Sequence, residues 1–534
     1  MSTEKQKKIE DIWMITREYD GLAGAGGVKD VCRQLAEVLV KKADVSVMLP
    51  MYGFIDPELL GFEPRYAFQV DLNYVGVERR EDVRIWERRH KQGKKCLTIY
   101  LVDAERYREK KAVYTYTAED EAENPVHAGG SGHYDYFAMN VLLQKTALNL
   151  MLYKGKRPDI IHCQDGHAAL LPAMAREIDG IRHFFRKTGL VVTIHNAGVG
   201  YHQEVGDLPF AKAVTRLPST IIGKNQLDGR FDPFLASAPY VVMNTVSENY
   251  ARELRETEDD ELTGWLGHAL ASRGVILQGV TNGINPEDFN PEDAEKQGIA
   301  APFSPAKGDL AGKRQCRREL VEMISRQELT TVRVSGSLTE APELPLFTLI
   351  GRLSAQKGVD KLVGALKTLL PEDDGFQVLI LGTGTKEIET GLIELTEMEE
   401  YQGRICLLSG YDQQLANKIY AAGDFFLIPS RYEPCGLTDY IAQLFGNLPI
   451  VHHVGGLVKV EDGKTGFAYQ EHSSAALREA MEKALQIFRR QPERIRTMQQ
   501  ESVKVIHNSY TWDKIVLRYM QLYQEALTLC PPEP

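Results

Sequence analysis

The chain has 534 residues, of which 43% are hydrophobic and 26% charged, an ordinary balance for a soluble globular enzyme but too long for one core, so two large domains are expected. A formal net charge of −11 opposes a nucleic-acid groove, which needs a basic face, yet leaves room for a locally basic pocket. Seven scattered cysteines without a C-x-x-C pair indicate neither a disulfide framework nor a zinc site, and a cytoplasmic location is expected.

Residues 1–8 carry no apolar core of a signal peptide, and no apolar run approaches the length of a membrane span. In chain order, short apolar runs predict strands at 12–15, 45–49, 96–102, 159–162, 190–195 and 240–246. A second series follows at 346–350, 377–381, 405–408, 425–428 and 449–452. Helical patterns separate these runs, and continuous Val/Ile/Leu strands suit parallel sheets covered on both faces. The fold expected is therefore α/β, with two doubly wound Rossmann-like domains. Turn residues cluster at 279–286, which sets the domains at 1–280 and 281–505, with a C-terminal helix in 506–534. Residues 111–135 and 198–232 read as long loops, 286–345 as a polar linker with a helix near 313–324, and 512–523 as a helix.

Two turns in the second half carry charge chemistry. Gly351-Arg352-Leu353-Ser354-Ala355-Gln356-Lys357-Gly358 lies between a strand and a helix, so that two cations and a helix N-terminus face one place. That set neutralises a diphosphate leaving group without a metal; the bland alternative is two surface cations on a loop. Pro429-Ser430-Arg431-Tyr432-Glu433-Pro434-Cys435-Gly436-Leu437-Thr438 joins strand 425–428 to a helix pattern at 439–445. Glu433 suits sugar hydroxyls, or else it is a helix-start acid; Cys435 has no base placed beside it by sequence and reads as packing.

In the first half, Gly24-Ala25-Gly26-Gly27 fails the dinucleotide fingerprint because Lys29 occupies its third glycine position, and Gly382-Thr383-Gly384 fails it at Glu387. A nicotinamide enzyme is thereby disfavoured. Polar groups follow two further strands, His162-Cys163-Gln164-Asp165-Gly166-His167 and Thr193-Ile194-His195-Asn196. Carboxyl ends of parallel strands are where such folds bind ligands. Asp165 and His167 have no third ligand at useful spacing and no D-x-D occurs, so no metal is expected.

Together these motifs resemble bacterial glycogen synthases and plant starch synthases, retaining glucosyltransferases of the GT-B fold, over nearly the whole chain. Residues 26–31 are similar to the family's K-T-G-G-L-A-D-V loop, 159–167 to P-D-I-V-H-x-H-D-W-H, 193–196 to T-I-H-N, and 282–284 to N-G-V/I. Residues 351–360 resemble S-R-L-x-x-Q-K-G-x-D, and 429–438 match P-S-R-F-E-P-C-G-L-T almost letter for letter. The resemblance implies two domains facing a deep cleft and transfer of glucose from ADP-glucose or UDP-glucose to an α-1,4-glucan, with no cofactor, membrane or nucleic acid. A phosphorylase shares the architecture, but no cofactor-lysine environment is recognisable.

By the same resemblance, Arg352 and Lys357 would bind the donor diphosphate. Glu433 would hold the sugar, aided by Cys435, Gly436, Leu437, Gly455, Gly456 and Leu457. Tyr411 would stack on the nucleobase, with Gly382 and Gly384 lining its pocket. Asp165, His195 and Asn282 would face the reacting sugar or acceptor, with Gly26, Gly27, Asp30 and Tyr114 beside them. Departures cluster there. Gly24 replaces the family lysine, Gln164 its histidine, Gly166 its tryptophan and Val454 its threonine. Lys459-Val460-Glu461 replaces D-T-V, and Ile441 stands where a related family has a second glutamate. They keep two alternatives open: a catalytically weakened glucan-binding or regulatory homologue, and a transferase with another sugar or acceptor.

Overall fold

A computed structural model describes residues 7–530; part of the polar N-terminal stretch discussed above lies outside them. The chain divides into two units, one running to Asn282 and resuming at Trp512, the other Gly283–Thr511.

The first unit is built on strands β1 (Asp11–Ile15), β2 (Asp44–Pro50), β3 (Glu63–Asp71), β4 (Arg80–Gln92), β5 (Lys95–Asp103), β6 (Ile160–Gln164) and β7 (Gly189–Ile194). A small ribbon, β8 (Gln226–Leu227) with β9 (Arg230–Phe231), stands apart, and β10 (Val242–Thr245) and β11 (Gln278–Gly279) complete the main sheet. Its order is β11-β10-β7-β6-β1-β2-β5-β4-β3, parallel except where β3, β4 and β5 pair antiparallel. All of β1, β6 and β7 is buried, which is why they read as unbroken apolar runs. The order reverses between β1 and β6, so a crevice opens beyond their carboxyl ends.

The second unit holds β12 (Val332–Gly336), β13 (Leu346–Ile350), β14 (Gln377–Gly382), β15 (Ile405–Gly410), β16 (Phe425–Ile428), β17 (Leu448–His452) and β18 (Phe467–Tyr469). Their order is β12-β15-β14-β13-β16-β17-β18, with only β12 antiparallel, and the switch point lies between β13 and β16. Phe347, Val378, Ile380, Phe425 and Ile450 form one core face with Leu362, Leu366 and Met481 from the covering helices.

The helix Trp512–Thr528 belongs to the first unit. Trp512 Nε1 donates to Gln34 Oε1 at 2.6 Å, and Tyr523 Oη lies 3.0 Å from Nδ1 of fully buried His162. Residues 506–511, which the sequence reading assigned to this helix, stay with the second unit, where Ile506 packs among Ile284, Tyr440, Leu444 and Val503. The stretches 111–135 and 198–232 are not bare loops: they contain the helices Ala118–Glu123, Leu208–Thr215 and Ser219–Lys224, and the β8–β9 ribbon. Strands β3, β4, β11, β12 and β18 escaped the sequence reading; β3 and β4 are largely exposed and charged, so they show no apolar run.

Candidate active site

On the second unit both charged turns follow the two strands that flank the switch point. The 351–358 turn leaves β13, and 429–437 leaves β16. Arg431 N donates to Gln356 O at 2.9 Å, and a Cβ on Gly358 (φ +68°) would lie 1.8 Å from Pro429 O, so the two turns touch through backbone. His452 Nδ1 and His472 Nε2 reach Ser430 O and Pro429 O at 2.8 and 3.1 Å, fixing the second turn from behind. Side chains then converge: Lys357 Nζ is 2.6 Å from Glu433 Oε2, and Ser430 Oγ donates to the same oxygen at 3.1 Å. Arg352 is exposed on the first turn and has no ion-pair partner among the described residues.

The glycines assigned to ligand lining have a backbone reason first. A Cβ on Gly382 would sit 1.9 Å from Gly351 O, and one on Gly384 1.8 Å from Leu353 O, so these residues let the neighbouring loop close around Arg352. Gly455 and Gly456 do the same beneath Glu433. Their Cβ atoms would meet Glu433 O and Cys435 O, each at 2.0 Å, and Gly456 N donates to Glu433 O at 2.9 Å. Leu457 and Cys435 are buried. Tyr411 is 71% exposed, its hydroxyl donating to Gln413 Oε1 at 2.7 Å, so its ring face is open. The helix after Leu437, Thr438–Leu444, is only seven residues long, which weakens the dipole argument; the local order comes from side chains instead.

Lys459 supplies that order. Its ammonium donates to Gly436 O at 2.8 Å and to Cys435 O, and lies 3.3 Å from Oδ1 of fully buried Asp439. Burial pushes the Asp439 carboxyl up to about 6, against the pull of Lys459. Ile441, at the second-glutamate position, packs on the apolar cluster of the same helix.

On the first unit, the polar groups sit at the carboxyl ends of β1, β6 and β7. Asp165 adopts φ +56°, and its Oδ1 accepts from His195 N at 2.6 Å. Burial raises its carboxyl to about 7. His195 Nε2 lies 2.7 Å from Gln164 Oε1, and burial lowers its imidazole to about 4, so it is neutral at pH 7. His167 stacks on Tyr114 with ring centroids 5.0 Å apart. Asn282 is 4% exposed, and its Oδ1 is buried with no hydrogen-bond partner among the described residues.

Two residues that the sequence reading passed over, Arg17 and Glu18, bind this cluster together. Glu18 Oε2 accepts from Ala25 N at 2.7 Å and Gly26 N at 3.2 Å, while its other oxygen accepts from Tyr114. Tyr114 is therefore joined through Glu18 to the glycine loop. Arg17 is buried and packs over the Tyr114 ring, its Nε donating to Tyr52 Oη at 2.9 Å. Their signal was available: Thr16-Arg17-Glu18 ends an apolar strand with charge.

The departures from the family pattern have local partners. A Cβ at Gly24 would lie 2.3 Å from Lys29 Cδ, so the Lys29 stem fills the space of a side chain there; its ammonium sits 3.1 Å from Asp20 and 3.6 Å from Asp30. A Cβ at Gly166 would meet His202 O at 2.3 Å, leaving no room for tryptophan. Gln164 holds His195, and Lys459 holds Asp439.

Residues 11–268 match the family profile described as starch synthase catalytic domain, and 334–500 that of glycosyl transferases group 1. The glycogen synthase of Aeromonas hydrophila is 30% identical over 97% of this chain and 98% of that protein, and that of Thermotoga maritima 29% over 96% and 98%. The catalytic domain of starch synthase IV from Arabidopsis thaliana, solved bound to ADP and acarbose, aligns with a TM-score of 0.76 at 24% identity, over 97% of this chain and 100% of that one. The fold is thus that of the GT-B glycosyltransferases, and the chain belongs to the glycogen and starch synthase family.

Proposed function

We propose that this glycosyltransferase carries glucose from a nucleotide diphosphate glucose, ADP-glucose or UDP-glucose, to the non-reducing end of an α-1,4-glucan, with retention of configuration. The observation that carries the reading is the 2.6 Å contact of Lys357 with Glu433 beside exposed Arg352, on two turns interlocked by backbone. The guanidinium and ammonium lower the energy of a departing diphosphate by fixed charge, a term that typically contributes a few kcal/mol per group. Glu433, held by Lys357 and Ser430, accepts hydroxyls of the donor sugar. The polar cluster at the ends of β1, β6 and β7, with neutral His195, and the buried, unpartnered Asn282 oxygen serve the reacting sugar and the acceptor. The chain's own residues account for these roles without a metal ion. A cytoplasmic location fits a soluble donor and glucan; among the described residues no helix is long and apolar enough to cross a membrane.

Incubation with labelled ADP-glucose or UDP-glucose and glycogen tests the reading: label enters the polymer from one of them. Failure with both, using folded protein, refutes it. A second reading, an attenuated glucan-binding homologue, is favoured by one observation: the Glu18 carboxylate occupies the Ala25 and Gly26 amides of the glycine loop. Nucleotide-sugar binding measured calorimetrically beside an inert transfer assay supports that reading instead.

A further inference from the structure

The first unit carries a second polar hollow at the opposite ends of its strands. Asp11, Asp44 and Lys95 are the first residues of β1, β2 and β5, whereas the cluster described above follows the last residues of β1, β6 and β7. The strand register lays side chains in two rows across one sheet face. Trp13, Ser46, Thr98 and Arg89 are successive cross-strand partners, and the neighbouring row runs through Asp11, Asp44, Cys96 and Lys91. A doubly wound sheet normally covers such a face with an apolar helix. Here it instead forms an open basin of about 690 Å³.

The basin is cationic in a chain of net charge −11. Seven lysines and arginines line it against three carboxylates. Those carboxylates are engaged: Asp11 with Lys156 at 3.0 Å, Asp44 accepting from Cys96 N at 3.0 Å, and Glu87 3.8 Å from Arg65. Arg89, Lys91, Lys94 and Lys95 form no close ion pair among the described residues, although Glu87 attracts Arg89 and Lys95 acts on Glu10 from a distance. Cations clustered on one β4–β5 hairpin without a close carboxylate favour an anion placed between them. The remaining wall is hydroxyl-bearing: Ser46, Thr98, Tyr66 and Tyr100. A neutral sugar is poorly served, because Trp13 and Tyr100 are only 2% and 1% exposed and offer no stacking platform. A long polyanion is disfavoured by the chain's net charge of −11, whereas a small anion experiences mainly charges within about 8–10 Å.

We propose that this basin binds a small phosphate-bearing metabolite, at a site separate from the donor turns on the other unit. The assignment stands independently of the transfer reaction. Inorganic pyrophosphate is the probe, titrated calorimetrically into full-length protein carrying Arg352→Ala and Lys357→Ala, which removes the donor-side cations. The expected result is one-to-one binding that weakens when ionic strength rises from about 0.01 M to about 0.15 M. Adding Lys91→Gln, Lys94→Gln and Lys95→Gln lowers affinity on the order of tenfold or more, and Arg89→Gln alone lowers it less. Absence of binding in the donor-side variant, or unchanged affinity in the lysine variant with its circular dichroism intact, overturns the proposal. So does markedly tighter binding of a long polyphosphate or RNA than of pyrophosphate, which would assign the basin to a macromolecule.

Discussion

Replacing Lys459 by methionine tests how the turn beneath Glu433 is held. The substitution keeps the length of the stem but removes the cation that lies 3.3 Å from Asp439 and donates to the carbonyls of Cys435 and Gly436. The Asp439 side chain is fully buried and that of Lys459 is 8% exposed, so neither charge is compensated by water. Removing one partner of such a pair costs about 3–5 kcal/mol, mostly through the charge left behind. Lys459→Met should therefore lower the stability of the second unit by that amount at pH 8, read by urea unfolding. Its folded-state Asp439 carboxyl is already raised, to about 6. In the variant it rises further, and protonation relieves the strandedness, so the loss at pH 5 is smaller than at pH 8. Asp439→Leu with Lys459→Met removes both charges and should recover roughly half or more of the loss, the remainder being the two carbonyls left without their donor. The KM for the nucleotide sugar rises in Lys459→Met more than kcat falls, since the turn loosens without losing Glu433. A cost below about 1 kcal/mol at pH 8, or a double variant no better than the single one, refutes the reasoning.

Three further outcomes are expected. Arg352→Ala lowers kcat/KM about 10²–10³-fold and leaves the urea midpoint unchanged, because this exposed side chain has no ion-pair partner among the described residues; a shifted midpoint would place it in the fold. Gly24→Ala destabilises the first unit by about 1–3 kcal/mol, because its Cβ meets the Lys29 stem at 2.3 Å; adding Lys29→Ala restores thermal stability if that contact is the cause. For Asp165, whose carboxyl lies near 7 when folded against about 4 unfolded, the folded state binds the proton more tightly. The wild type therefore loses stability as pH rises from about 4 to 7, and Asp165→Asn flattens that slope; an equal slope in both proteins contradicts the shift.

The architecture was legible because buried parallel strands such as β1, β6 and β7 are continuous apolar runs, and because turn chemistry marks where β13 and β16 end. Strands β3 and β4 were invisible for the converse reason: their exposed faces carry Arg, Glu and Lys, and the basin they border is built from those same residues. The donor turns could be read because Arg352, Lys357 and Glu433 lie in short motifs. The pairing of Lys459 with Asp439, of Gln164 with His195 and of the Lys29 stem with the Gly24 space depends on contacts that spacing does not encode. Each had been visible only as a mismatch to the family pattern. Arg17 and Glu18 were missed although a charged pair ending an apolar strand is itself a signal.

The most direct test of the account is a crystal structure of the protein with ADP or UDP bound. The account predicts the diphosphate within hydrogen-bonding distance of the Arg352 guanidinium and the Lys357 ammonium, with Glu433 beside the terminal phosphate. A nucleotide seated elsewhere, with those three side chains untouched, would contradict it.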